Sequence, residues 1–125
     1  MSLLDLNLEN VPELSTVPEG EYTLVCRSAE VKTSQSTGGQ YISLRYEIIG
    51  EPDALPVYHV VMLPTPEDDD AKRNRRLRQL KRLFESHGCD ISQPDPEELI
   101  GKEVQAMLVV EEDEYGPQNR IKRFL

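Results

Sequence analysis

From Gln40 to Ile49 the chain reads QYISLRYEII, and apolar residues alternate with polar ones almost throughout. A two-residue period is the pattern of a strand with one buried and one wet face. Ile42, Leu44, Tyr46 and Ile48 form the row that must be covered, and Tyr41, Ser43, Arg45 and Glu47 form the row left outside. One strand cannot cover its own inner row, so the rest of the chain must supply partners.

Upstream, Glu21 to Lys32 (EYTLVCRSAEVK) is a long strand whose phase changes partway. Tyr22, Leu24 and Cys26 share one face, after which Ala29 and Val31 alternate in the opposite phase. Such a change predicts a bulge or bend, by which one strand serves two neighbours in a small barrel. Ser36-Thr37-Gly38-Gly39 is the hairpin connection to the second strand. The third strand is Val57 to Leu63, after a loop with Gly50, Pro52 and Pro56.

A helix is expected next, over Pro66–His87, with Thr65 as N-cap and Gly88 as terminator. Leu77, Leu80 and Phe84 make its apolar stripe, which Ala71 can extend. Asp95-Pro96-Glu97-Glu98 opens a short helical turn. The fourth strand is Glu103–Glu111, with Val104, Ala106, Leu108 and Val110 facing in. Tyr115-Gly116-Pro117 marks a turn, and the fifth strand is Asn119–Phe124.

The order is β-β-β-α-β-β, and five antiparallel strands have edges to hide. The expected fold is therefore all-β with one helix: a five-stranded Greek-key barrel of the OB type. The helix, between strands three and four, plugs one open end. A chain of 125 residues suits one such domain, assigned to residues 19–125. Residues 1–18 form a leader, in which Leu4, Leu6 and Leu8 alternate with Asp5, Asn7 and Glu9 before Val11-Pro12 and Val17-Pro18 interrupt. Two readings stand: a leader lying loosely on the barrel, or an arm that adds a strand to a neighbour's edge in a homodimer.

No apolar run approaches the ~20 residues of a membrane helix, and MSLLDLNLEN has acids where a signal peptide needs lysine or arginine. A cytoplasmic location, in a bacterium or an infected host, is expected, with no membrane partner. Cys26 and Cys89 form no CxxC pattern and read as reduced thiols; His59 and His87 share no ligand spacing. No metal or cofactor is expected. Nor is an enzyme: no P-loop, dinucleotide fingerprint, HExxH or histidine beside a nucleophile motif is present.

The net charge of −9 repels phosphate at long range. Its distribution is uneven, however: seven of the 14 basic residues fall between Lys72 and Arg82, while four acids sit together at Glu67–Asp70.

The chain resembles a bacteriophage OB-fold family of the single-stranded-DNA-binding kind, many of whose members are domains of unknown function. The resemblance lies in Pro18-Glu19-Gly20-Glu21-Tyr22, Gly39-Gln40-Tyr41-Ile42, Gly88, Glu98-Leu99-Ile100-Gly101-Lys102 and Glu114 through Ile121. It covers most of the chain after Val17. One departure is at Asp53-Ala54-Leu55-Pro56-Val57-Tyr58, where family members often carry a Gly-Arg or Gly-Lys step and this chain has no basic residue.

A sequence-tolerant single-strand groove needs cations along the phosphate path and flat side chains under the bases. The candidates are Tyr41 and Arg45 on the second strand, Tyr58 on the third, Arg27 and Lys32 on the first, Tyr115 in the last turn, and Arg120 and Lys122 on the fifth strand. Plainer readings stand beside them. Tyr41 and Tyr58 can cover the barrel exterior, Arg45 can pair with Glu47 or Glu30, and Tyr115 lies beside the acidic Glu111–Glu114 run. The helix supplies a secondary basic surface of Lys72, Arg75, Arg76 and Arg78, which is also a plausible solvated face. The expected function is a single-stranded-DNA-binding protein of replication or recombination. The alternative is an OB-fold adaptor docking a replication or recombination protein without touching DNA.

Overall fold

In the computed structural model, which describes residues 5–125, five strands form one antiparallel sheet. They are β1 (Gly20–Thr33), β2 (Gln40–Ile48), β3 (Val57–Met62), β4 (Glu103–Asp113) and β5 (Gly116–Phe124), in the order β3-β2-β1-β4-β5. Helix α1 (Asp70–Ser86) and a short 3-10 helix (Pro96–Leu99) lie between β3 and β4.

β1 is the hub. Its first half pairs with β4 from Gly20↔Leu108 to Val25↔Glu103, and its second half continues along β2 to Thr33↔Gln40. The exchange occurs at the register shift between Cys26 and Ser28, the bulge that the phase change foretold. There the Cys26 N–H donates to Lys102 O at 3.0 Å, and the Gly101 N–H donates to Cys26 O at 2.7 Å. The inner row of β2 is buried as read, and Leu24, Cys26, Val57, Val104, Ala106 and Leu108 join it in the core.

The closed barrel does not form: among the described residues, no backbone ladder joins the sheet edges β3 and β5. The His59 and Phe124 rings meet edge-to-face across this seam, with centroids 5.5 Å apart. The ring contact joins the two edges by side chains where no ladder does; the register shift between Met107 and Leu108 lies in the β4–β5 pairing. Val110, expected inside, is 37% exposed on the overhanging end of β4, and Val31 is exposed near the end of β1.

The helix begins later than expected. Thr65 does not cap it; the Thr65 N–H and hydroxyl both donate to Asp68, each at 2.9 Å. With Asp68 also claimed by Arg76, Asp69 becomes the N-cap and accepts from the Lys72 N–H at 2.7 Å. The far end is as read. Gly88, at φ 69°, donates to Glu85 O, and the Cys89 N–H donates to Phe84 O, the paired bonds of a Schellman cap. The buried stripe is also shifted: Leu83, Phe84 and His87 face the core, while Leu77 is 41% exposed.

His87 ties helix to sheet. Its Nδ1 lies 2.7 Å from Leu83 O, which can only accept, so Nδ1 carries the proton. Nε2 therefore accepts from the Tyr46 hydroxyl, at 2.9 Å. At the leader, buried Asn119 accepts from the Val17 N–H and donates to Val17 O, both at 2.9 Å. Ser15 is bridged to Ala54, so the stretch Ser15–Val17 is fixed to the domain. Leu6 and Leu8 form no strand and are exposed, and Leu4 lies outside the described residues.

Candidate nucleic-acid interface

Because Tyr46 and Val57 are buried partners, their neighbours Arg45 and Tyr58, also opposite each other, face outward. The two-residue period then carries the same outer face through Ser43 and Tyr41, and across the hairpin to Lys32 beside Tyr41. Tyr58 is 50% exposed, and Val60, two residues on, is 53% exposed. Tyr41 and Arg45 are half-buried, so each presents part of its side chain.

The ion pairs sort the cations. Arg27 Nε lies 3.1 Å from Glu47 Oε2, and Lys32 Nζ lies 3.9 Å from Glu30. The two carboxylates considered as partners for Arg45 are thus engaged by neighbours, and Arg45 has no salt bridge among the described residues. Exposed pairs of this kind add little stability, so Arg27 and Lys32 can be redirected at small cost.

Across the open seam, Arg120 joins Tyr58. Both line a shallow groove of about 480 Å³ with His59, Val60, Asp113 and Gln118. Arg120 is steadied by Gln118 Oε1 at 2.8 Å and Asp113 Oδ2 at 3.4 Å. A second groove, of about 240 Å³, shares His59 and Val60 with the first and is lined by Arg82, Lys122 and Arg123. Arg82 Nη2 donates to Phe124 O at 3.4 Å, which fixes it at the seam.

The structure therefore brings Arg45, Tyr58 and Arg120 together, sets Tyr41, Lys32 and Arg27 along the same outer face, and puts Lys122 in the adjoining groove. Tyr115 is left out: it is 83% exposed at the β4–β5 turn and lines neither groove. Arg123 and Val60 were missed, and Arg82, counted only with the basic helix cluster, was not placed at the seam. Val60 was readable from its two-residue spacing to Tyr58; Arg82 and Arg123 meet only through the packing of α1 against the sheet edge.

The secondary basic surface divides. Arg76 is a structural residue: its Nη1 donates to Leu63 O at 3.3 Å and to both Asp68 oxygens, at 3.2 and 3.1 Å. Lys72 also reaches Asp68, at 3.8 Å. Hydrogen bonds from Thr65, then the charges of Arg76 and Lys72, hold the Asp68 carboxyl below its usual range. Arg75 and Arg78 are exposed with no salt bridge among the described residues.

Behind the face, burial lowers the pKa of His87 and His59, with the proximity of the two rings adding to the effect at His59. Burial also pushes the Cys26 thiol up to about 11, so it stays protonated and unreactive at neutral pH.

These features define a mostly β domain of five antiparallel strands, with one helix between the third and fourth and an outer face carrying tyrosine and arginine side by side. The chain belongs to the family described as "Protein of unknown function (DUF669)", whose model matches residues 4–123. No curated protein matches it. Among the described residues, no helix is long and apolar enough to cross a membrane.

Proposed function

We propose that this is a non-enzymatic single-stranded-DNA-binding protein of phage type, acting in replication or recombination in the cytoplasm. Its fold is read as an OB-type barrel left open at the β3–β5 seam. The observation that carries the reading is the exposed Tyr58 ring between Arg45, its cross-strand partner, and Arg120, which lines the same groove. A base stacks on the ring while the guanidinium groups take the flanking phosphates, a sequence-tolerant mode. The path runs over β2 and β3 and continues along the seam to Arg82, Lys122 and Arg123. Those cations offset locally a net charge of −9.

Fluorescence titration with poly-dT across a salt series tests this. Binding should weaken with salt, with a log–log slope of about −0.7 per phosphate neutralised. No binding at low salt, or equal binding to duplex, rejects the reading.

A second reading, an adaptor for a replication or recombination protein, is favoured by exposed Arg75 and Arg78, which among the described residues pair with neither a carboxylate nor an aromatic ring. It expects Arg75→Glu with Arg78→Glu to abolish capture of an acidic partner while poly-dT binding is unaltered.

A further inference from the structure

Two apolar surfaces stand uncovered on one copy of the chain. The first is a groove of about 430 Å³, within the ~300–1,000 Å³ range in which proteins seat ligands. Val31, Leu63, Leu77, Leu80, Ile91 and Pro94 form much of its wall, and Lys81 is its one charged lining residue. The second is the leader, where Leu6 is 68% and Leu8 71% exposed, with Val11 and Leu14 also exposed. Scattered apolar residues on a surface need no explanation, but a concave apolar groove and an arm of exposed leucines in one molecule call for covers.

We propose that the leader of one copy lies in this groove on a second copy, and that the exchange is reciprocal. Three observations support the match. First, in one copy the Glu9 N–H donates to Asn7 Oδ1 at 3.0 Å, a local turn; straightened on docking, the arm sets Leu6 and Leu8 on one side, ~6.6 Å apart, with Asp5 and Glu9 along its other edge, within side-chain reach of the groove's rim. Second, the charges are complementary. Residues 5–14 carry Asp5, Glu9 and Glu13 and no base. On α1, Arg73 and Lys81 each lie four residues from Leu77, on the same helix face. Lys81 is held only by the exposed Glu85, at 3.7 Å, a pair that an incoming carboxylate can displace. On the opposite wall Asp95 is turned into capping the 3-10 helix, where it accepts from the Glu97 N–H at 3.0 Å.

Third, the arm is anchored at Ser15 and lies outside its own groove. The Ser15 N–H donates to Asp53 O, and the Leu55 N–H donates to Ser15 O. Leu14 sits with Ile48 and Pro52, at the far end of β2 from groove residue Ile42. Six strand residues, ~20 Å, separate the two ends, and in one copy Leu6 and Leu8 stay exposed and line no part of that groove. A reciprocal exchange is isologous, and one two-fold operation covers both grooves and both arms. This inference is independent of DNA binding.

Sedimentation equilibrium of the full chain at micromolar concentrations tests it. The expected result is a dimer. Leu8→Asp on the arm and Leu77→Asp in the groove should each yield monomers. Both side chains are already exposed, and circular dichroism verifies that each variant keeps its sheet. Glu9→Lys and Lys81→Glu should each weaken the dimer several-fold, and their combination should restore it. A monomer at every concentration, including one whose arm folds into its own groove, overturns the proposal. So does a dimer that neither aspartate variant disturbs.

Discussion

Helix α1 and the outer sheet face both gather cations, but they deploy them differently. The helix has seven bases between Lys72 and Arg82, the densest positive stretch in the chain. Lys72 and Arg76 are held by Asp68 and Arg82 donates to the Phe124 carbonyl, while Lys81 makes only an exposed pair with Glu85. Arg73, Arg75 and Arg78 are exposed and make no aromatic contact among the described residues; Arg75 and Arg78, three apart, share one face and Arg73 lies on another. The sheet face has fewer cations, yet Arg45 is without an ion pair and stands opposite an exposed tyrosine. On the proposed reading, charge density along a sequence says little about where a polyanion binds. An uncommitted cation beside an exposed ring says more.

The largest effect should come from cutting the link between the two regions. His87→Ala removes a buried ring and strands the Tyr46 hydroxyl, whose residue is 0% exposed. The cavity and the unpaired hydroxyl together should cost about 3 kcal/mol, read by denaturant unfolding. An unchanged midpoint would mean that α1 and the sheet are not one unit. The same pair sets a pH dependence. The folded pKa of His87 lies below the ordinary 6.5, so the unfolded chain binds the proton more readily. Stability is therefore fully present above pH 6.5 and declines as pH falls toward the folded pKa; His59, shifted the same way, adds to the loss.

Next in size is Tyr58→Ala. Loss of one stacking platform should weaken poly-dT binding by about 1–3 kcal/mol, while Tyr115→Ala leaves it unchanged. The reverse outcome would move the interface to the acidic β4–β5 turn. Smaller again is Arg45→Gln, which should lower affinity several-fold and shallow the salt slope by about 0.7, one phosphate. Arg75→Gln with Arg78→Gln should leave that slope unchanged. Equal slopes for the two variants would erase the distinction between helix and sheet.

The elements that could be read in advance are those whose signals are local. The β1 bulge announced itself as a phase change, the β2 inner row as alternation, and the Gly88 cap as a glycine after the last apolar turn. The helix start could not be settled that way. Thr65, Asp68 and Asp69 are all competent caps, and the choice fell to Asp69 because Asp68 is bound by Thr65 and Arg76, eight residues away. His87 was closer to legible: Leu80, Leu83, Phe84 and His87 follow three- and four-residue steps, but a polar residue at the end of a stripe reads as solvent-facing. At the site, alternation placed Tyr41 and Arg45 outward, while the mostly apolar third strand left the side of Tyr58 open until its pairing with Arg45 fixed it. It could not show that Glu47 and Glu30 would be taken by Arg27 and Lys32, leaving Arg45 available. The open seam was invisible, because strand count predicts closure and only packed side chains decide it.

The smallest expected effect bears most directly on the comparison. Asp68→Asn removes the carboxylate that engages Lys72 and Arg76 while keeping the side chain's shape; its one oxygen can still accept from the Thr65 N–H, and its NH2 can donate to the Thr65 hydroxyl oxygen in place of the bond lost there. Arg76 keeps its bond to the Leu63 carbonyl, so the guanidinium stays in place with its charge released. Helix α1 then gains positive potential without gaining a ring. If the cation–tyrosine pairing governs binding, poly-dT affinity should rise no more than a few-fold at low salt, and the gain should vanish as screening increases. A rise matching the loss caused by Tyr58→Ala would show that α1 is a phosphate track held back by Asp68, and would make the helix, not the sheet face, the principal cationic surface.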